Sequence, residues 1–267
     1  MASLKGNIAF TGSLGNLSAY SRKDLNNIIL RTKGGASGKV IKTAPEFVNT
    51  RRVMSEFGGC STAGKHIKLA MTGVTHLDHR LFQSRLNAVC SCIQKLDTIS
   101  VWGQRSILIS QYRNLLQGFN LEMGTLFDSI VKHPLDYNIN RIDQSAFVNI
   151  PPLYPNIGLY VPGKFSFFRL IAVLGIVPDM KYNAKLKKYQ PLNPDIQLRR
   201  VQKMTDWFGV ATICEEQTID MQIDGETNMT DNDSLILSIG IEFGIPLTAS
   251  LIQTVNYAGA AKILALA

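Results

Sequence analysis

The sequence predicts an α+β protein, with β-strands at both ends of the chain and helices between them. Three observations predict this class. Short apolar segments separated by glycines open the chain, apolar residues at helical spacing follow, and apolar runs bounded by proline and asparagine fill the second half. These patterns divide the chain into a β-strand arm (1–43), a helical region (44–118) and an antiparallel β-sandwich domain (119–267).

The composition is that of an ordinary globular protein. The chain has 267 residues, 45% of them hydrophobic, which is enough to bury a sizeable core. No secretory signal is visible, and the longest apolar stretch, residues 170–177, is far shorter than the ~20 residues of a membrane span. We therefore expect a cytoplasmic protein without a membrane span, with nonclassical release as an open alternative. The cysteines form no C-x-x-C pair, which favours free thiols; they are Cys60, Cys90, Cys92 and Cys214.

The arm is predicted to form three short strands. Apolar segments at residues 8–10, 17–20 and 27–32 are separated by glycines or polar turns, which favours strands joined by tight turns. The glycine-rich residues 33–39 predict a flexible loop. They do not match a phosphate-binding Walker A loop, because that motif needs wider glycine spacing and a Ser or Thr after its lysine.

The helical region is predicted to contain three helices. Pro45 is a favoured residue of a first helical turn, and apolar residues at helical spacing follow it. Gly58-Gly59 predicts the end of this first helix. Two further helices are predicted at residues 62–71 and 78–96.

The last region is predicted to form an antiparallel β-sandwich. Its apolar runs alternate or continue in the manner of strands, and prolines and asparagine-rich turns separate them. The predicted strands are residues 142–150, 165–177, 207–220, 234–243 and 260–266.

Charge is spread unevenly along the chain. Residues 1–113 hold 16 Lys and Arg against 5 Asp and Glu, whereas residues 114–267 hold 12 against 15. This asymmetry favours a polyanionic or acidic partner, or head-to-tail assembly in which a basic face of one copy meets an acidic face of the next. Both alternatives remain open from the sequence.

Basic residues interleave with aromatic and apolar ones near the start of the chain, which predicts an assembly or partner-binding surface. In a nucleic-acid-binding protein the same residues would contact a phosphate backbone. No helix-turn-helix, zinc-finger or RNA-binding signature accompanies them. The predicted surface comprises Phe10, Tyr20, Arg22, Lys23, Ile29, Arg31, Lys33, Arg51 and Arg52.

An acidic cluster surrounds Gly225. Its spacing lacks the alternating carboxylates of an EF-hand loop, so we expect solvated loops between two strands rather than a calcium site. The cluster comprises Asp220, Asp224, Glu226, Asp231 and Asp233.

Two further groups contain side chains that are capable of catalytic or metal chemistry. His76 and His79 could share a metal across one helical turn, but no third ligand is evident nearby. Cys60 and His66 could pair as a thiol and a base, but Cys60 lies in a Gly-Gly-Cys-Ser-Thr sequence that is typical of a helix boundary. The sequence therefore predicts no enzyme activity, no cofactor, no metal site and no small-molecule substrate.

Both ends of the chain carry distinctive motifs. Near the start these are G-S-L-G-N-L-S-A-Y from Gly12, K-G-G, F-x-N-T-R-R and E-F-G-G, and near the end they are G-I-E-F-G-I-P and I-Q-T-V-N-Y-A-G-A-A-K-I-L. With these motifs the chain resembles a family of uncharacterised proteins from the Bacteroidota. The resemblance implies no activity. A pattern concentrated in the N-terminal hairpin and the C-terminal strand is typical of a protein whose two ends are held in a larger structure.

The function predicted from these observations is a structural, self-assembling subunit. The assembly would be a filament, tube or shell, possibly phage-derived, made when an arm or edge strand of one copy completes the sheet of the next. The alternative is a nucleic-acid-binding protein that uses the basic N-terminal half.

Overall fold

The α+β class is confirmed by a computed structural model, which describes residues 2–4, 10–22, 25–77, 82–248 and 251–267. The chain divides into two compact units, Met1–Arg51 and Arg52–Ala267.

The N-terminal unit contains a four-stranded antiparallel sheet, which we call the N-terminal sheet. Its strands lie in the order β1-β4-β3-β2. A two-residue turn joins β2 to β3, and Gly15 adopts a φ of 53° there, a conformation that favours glycine. The strands are β1 (Ala2–Leu4), β2 (Gly12–Leu14), β3 (Leu17–Arg22) and β4 (Leu25–Thr32).

Two of the three strands predicted in the arm are confirmed. β3 covers predicted residues 17–20 and β4 covers residues 27–32. Most of the segment 8–10 lies outside the described residues, and Phe10 itself is not in a strand. The predicted loop 33–39 is wrong at its end, because helix α1 (Gly38–Thr43) begins there, with the Ser37 side chain accepting from the Val40 N–H.

Helix α2 (Val48–Ala70) runs without a break through Gly58 and Gly59, so the predicted helix end there is wrong. The predicted second helix is the continuation of the same one. Close packing explains the glycine at position 59, because a Cβ there would lie 2.7 Å from Cζ of Tyr189. Nothing lies within 4 Å of a Cβ on Gly58. The glycine pair therefore permits close packing against a ring rather than ending the helix.

Helix α3 (Phe82–Lys95) confirms the described part of the third predicted helix, whose first four residues, 78–81, lie outside the described residues. One face of α3 buries apolar residues at helical spacing, including Leu86, Cys90 and Ile93. A last short helix, α4 (Phe127–Ile130), follows. Among the described residues, no helix has the length and apolar character needed to cross a membrane.

The main sheet of the second unit has the strand order β10-β7-β13-β14, and the short β11 also pairs with β7. All of its pairings are antiparallel. The predicted strands 165–177, 234–243 and 260–266 are confirmed, the last within a longer strand. The strands are β7 (Phe167–Pro178), β10 (Arg200–Met204), β11 (Phe208–Gly209), β13 (Asp233–Pro246) and β14 (Ile252–Leu266).

A smaller antiparallel sheet has the order β12-β6-β5, and a separate hairpin pairs β8 with β9. The predicted strand 142–150 begins only at Ser145, because residues 141–144 form the turn from β5. The predicted strand 207–220 is wrong in its middle, where the chain turns between β11 and β12. The strands are β5 (Asp136–Asn140), β6 (Ser145–Ile150), β8 (Met180–Asn183), β9 (Lys188–Pro191) and β12 (Gln217–Gln222).

The main sheet is covered on both faces, and β7 shows how. Leu170 and Leu174 belong to a core shared with the small sheet, whereas Ile171 and Val173 belong to a core shared with α2 and α3. This explains the unbroken apolar run of β7, since a strand covered on both faces does not alternate between apolar and polar residues. The packed sheets are consistent with the predicted sandwich, and the helices add a third layer on the other face.

Candidate functional site

The described side chains of the N-terminal sheet form little core of their own. Among the side chains described in the N-terminal unit, only those of Ala19 and Ile29 are buried. Its edge strands β1 and β2 have three residues each, and Leu14 on β2 leaves 64% of its surface exposed. A sheet of this kind depends for its stability on backbone pairing more than on burial, and its edges can accept another strand.

The register places three of the predicted site residues on one face of this sheet. Tyr20 pairs with Ile29, and Arg31 lies two residues further along the same strand. The Arg31 guanidinium carbon lies 5.5 Å from the centroid of the Tyr20 ring. Lys33 then donates from Nζ to the Gly15 carbonyl at 3.1 Å, which ties the end of β4 to the β2–β3 turn.

Two of the remaining predicted residues, Phe10 and Arg51, have other surroundings. Phe10 is partly buried but lies outside the strands. Arg22 ends β3, and Lys23 lies outside the described residues. Arg51 donates from one guanidinium nitrogen to the carbonyls of Ile41 and Ala44, both at 2.8 Å, and so binds the C-terminal end of α1.

Arg52 belongs to the second unit, where its guanidinium carbon lies 5.2 Å from the centroid of the Trp102 ring. Arg51 and Arg52 are neighbours in sequence but fall in different units. The contacts of Arg51 with the Ile41 and Ala44 carbonyls lie within the N-terminal unit.

The predicted acidic cluster is not uniformly solvated. Asp224 and Glu226 are exposed on either side of Gly225, as expected, and Asp220 and Asp231 are exposed too. Asp233, however, is fully buried. Its Oδ2 accepts from the Thr230 N–H and hydroxyl at 2.9 Å each and from Asn193 Nδ2 at 2.8 Å. Asp233 therefore stabilises the turn into β13 rather than forming part of a solvated loop.

The thiol and histidine of α2 do not form a nucleophile–base pair. Cys60 lies in the middle of the helix, not at its boundary, and its Sγ donates to Gln94 Oε1 at 3.2 Å. Burial and the nearby Glu56 carboxylate raise the pKa of the Cys60 thiol to about 11. A buried thiol of this pKa is a poor nucleophile at neutral pH.

A buried ion-pair group was missed from the sequence. Glu242, on β13, has a side chain that is 1% exposed, and it accepts from His76 Nε2 at 2.7 Å and from Arg169 Nε. Burial alone would raise the pKa of Glu242, but the hydrogen bonds from His76 and Arg169 outweigh burial and hold it below its usual value. Arg169 in turn lies over the Trp207 ring, 4.5 Å from its centroid.

The sequence contains a signal for two members of this group, Arg169 and Glu242. Arg169 and Glu242 are the single charged residues within two otherwise apolar runs, and such isolated charges predict a buried pair. The strand register confirms that they are direct cross-strand neighbours. Nothing in the sequence indicates His76 as their third partner. His79, its proposed metal-binding partner, lies outside the described residues.

The end of the β13–β14 hairpin carries three exposed apolar side chains. Ile245, Leu247 and Leu251 leave 40%, 59% and 54% of their surfaces exposed. Exposed apolar residues that form a contiguous patch are typical of protein interaction sites. We call these three residues the hairpin patch.

No protein-family model, curated protein or solved structure matches the chain. Its function therefore has to be inferred from its own residues.

Proposed function

We propose that this protein is a structural subunit that assembles with other copies of itself, in a filament, tube or shell, through the N-terminal sheet. The observation that carries the proposal is the contrast between four paired strands and only two buried side chains, Ala19 and Ile29, among those described in that unit. A strand from a second copy would add backbone hydrogen bonds at an edge and cover apolar side chains such as Leu14.

Charge supports the same proposal. In the described part of the N-terminal unit, Glu46 is the single acidic residue, whereas Arg31, Lys33, Lys39 and Lys42 are exposed. Acidic residues are exposed on the second unit, among them Asp224 and Glu226. A basic surface of one copy and an acidic surface of the next would favour head-to-tail contact, which forms open polymers unless the rotation closes a ring.

The test is the oligomeric state of the full-length protein and of a variant with a charged edge strand. Light scattering and negative-stain microscopy should show assemblies for the natural sequence. Leu14→Lys places a charge on β2, and an edge lysine blocks strand addition, so we expect mostly monomers. Ile99→Lys is the matched control, because Ile99 is 96% exposed and lies in the second unit.

Three results would count against this mechanism. A natural protein that stays monomeric at high concentration would overturn self-assembly. A Leu14→Lys variant that assembles normally would overturn the role of the N-terminal sheet, and loss of assembly on Leu247→Lys instead would assign the contact to the hairpin patch. Deletion of residues 1–43 should abolish assembly while the second unit, which has its own cores, stays folded.

The second candidate function is nucleic-acid binding, and the position of Arg31 over the Tyr20 ring favours it. An arginine beside an aromatic ring and further exposed cations can contact phosphates and bases. Fluorescence anisotropy with single-stranded and double-stranded oligonucleotides should then show binding that weakens steeply as salt is raised. Undetectable binding at low salt would eliminate this candidate, and Arg31→Ala should weaken any binding that is found.

A further inference from the structure

The outer face of the small sheet presents an ordered grid of polar side chains around one aromatic ring. The inner face is apolar, with Val148, Ile219 and Met221 buried in the core shared with β7. The outward residues alternate with these and pair across all three strands. From β12 through β6 to β5 the rows are Gln222–Ser145–Asn140, Asp220–Phe147–Asn138 and Thr218–Asn149–Asp136. We call these nine residues the outer face.

A groove of about 330 Å³ lies over two of these rows. Phe147, with 36% of its surface exposed, and Lys203, from β10 of the main sheet, both line it. Its volume lies at the lower end of the range of small-molecule sites, about 300–1,000 Å³. The groove is therefore large enough for one or two sugar rings.

The polar groups nearest Phe147 are the ones left without protein partners. Within the part of the chain that the structure describes, the Asp220 carboxylate, the Lys203 ammonium and the Asn138 amide nitrogen make no hydrogen bond or ion pair. Asn138 Oδ1 accepts only from the adjacent Ile139 N–H. The donors and acceptors beside the ring are thus available to a ligand.

Several polar groups at the margins of the outer face, by contrast, have hydrogen-bond partners. Asn149 donates to Glu216 at 2.6 Å and accepts from Thr218 at 3.2 Å, and Asn140 donates to Asp143 at 2.5 Å. These bonds hold the border of the grid in place. A site that is fixed at its border and unpartnered at its centre is ordered for binding before a ligand arrives.

The chemistry of the groove selects one class of ligand. The Asp220 carboxylate would repel an anionic ligand. An apolar ligand would cover the amides and the carboxylate and leave them without hydrogen-bond partners. A neutral sugar fits both features, because its hydroxyls donate to Asp220 and accept from Asn138 and Lys203, and its C–H face packs on the electron-rich face of an aromatic ring. We propose that the outer face binds neutral carbohydrate, with Phe147 as the platform.

All residues of this site lie in the second unit, so none of them belongs to the N-terminal sheet. The test uses purified full-length protein, an array of neutral oligosaccharides, and affinity electrophoresis in gels containing xylan, glucan or galactomannan. Titration calorimetry then measures the affinity for the sugar that binds best. We expect binding to at least one of these probes.

Phe147→Ala should weaken that affinity about tenfold, the loss expected when an aromatic contact is removed, and Phe147→Tyr should retain it. Phe57→Ala is the matched control, because Phe57 is 64% exposed on α2 and should leave affinity unchanged. Asp220→Asn and Lys203→Met should each weaken binding while leaving the unfolding midpoint unchanged. No binding to any array sugar or polysaccharide, or binding that Phe147→Ala leaves intact, would overturn the proposal.

Discussion

The N-terminal sheet and the main sheet are built by the same kind of strand pairing, and they differ in how much of their surface is buried. Both are antiparallel, and the main path of each contains four strands. In the N-terminal sheet only Ala19 and Ile29 are buried among the described side chains, whereas β7 is buried almost from end to end. The contrast teaches that strand pairing sets the shape of a sheet, and that layers packed on its faces supply most of its stability.

The largest expected effect is on the covered sheet. Phe168 is fully buried on β7, beside Phe208 with ring centroids 5.8 Å apart. Phe168→Ala should lower the free energy of unfolding by about 3–5 kcal/mol, because it leaves a cavity between layers. Urea denaturation followed by tryptophan fluorescence measures this loss, since Trp102 and Trp207 both lie in the second unit. Ile29→Ala, in the N-terminal sheet, should leave that transition unchanged; an equal loss from both variants would contradict the comparison.

A smaller loss is expected when the buried ion-pair group is broken. Glu242→Gln should lower the free energy of unfolding by about 2–3 kcal/mol, less than for a fully buried pair, because His76 and Arg169 can both reach water. Urea denaturation at neutral pH measures it. His76→Gln is the control for the outer part of the group and should cost less.

The same carboxylate predicts a pH dependence. The pKa of Glu242 is lower in the folded protein than its ordinary value of 4.5, so its contribution to stability is complete above the unfolded pKa and is lost as the pH falls through the folded pKa. The unfolding midpoint should therefore decrease below about pH 4.5. Glu242→Gln should show a shallower decrease, though not a flat one, because the pKa of Glu56 is also lowered in the folded state. Identical slopes for the two proteins would contradict this account.

The smallest effects come from a matched pair of glycines in α2. Gly59→Ala should destabilise the second unit by about 1–2 kcal/mol, because the new Cβ would press on the Tyr189 ring, which is held by a hydrogen bond to the Arg105 carbonyl at 3.0 Å. Gly58→Ala should stabilise it by about 0.5–1 kcal/mol, since that position is open and alanine favours a helix. Thermal unfolding of both variants measures the difference. The same sign for both would show that Tyr189 does not limit the packing.

The sequence allowed the buried strands to be predicted. It did not allow the prediction of contacts between residues that are far apart in the chain. β7 and β13 were predicted because long apolar runs need cover on both faces. The end of α2 was misplaced because Gly58-Gly59 is a local stop signal, whereas the residue that requires Gly59 is the distant Tyr189. Helix propensity depends on local sequence, so it does not predict a contact with a residue that is distant in the chain.

The same limit applies to the sites. The alternation of β6 and β12 is visible in the sequence, but only the register shows that Phe147 lies between Asp220 and Asn138. Likewise, a basic arm could be predicted from charge, yet Arg51 proved to bind the end of α1 within its own unit. Sequence patterns predict which residues share a strand face, and tertiary pairing decides which faces become sites.

The pairing of β7 with β13 also dictates an order of events when the chain is made. β7 ends at Pro178, and its partner begins only at Asp233. A ribosome therefore releases the most apolar strand of the protein well before β13, which pairs along its whole length, exists. Of the described strands that pair with β7, β10 and the two-residue β11 are the ones made in the meantime. Nascent chains halted in this interval should be prone to aggregate and to bind chaperones. Because its central contacts are distant in sequence, the second unit should also refold slowly from denaturant.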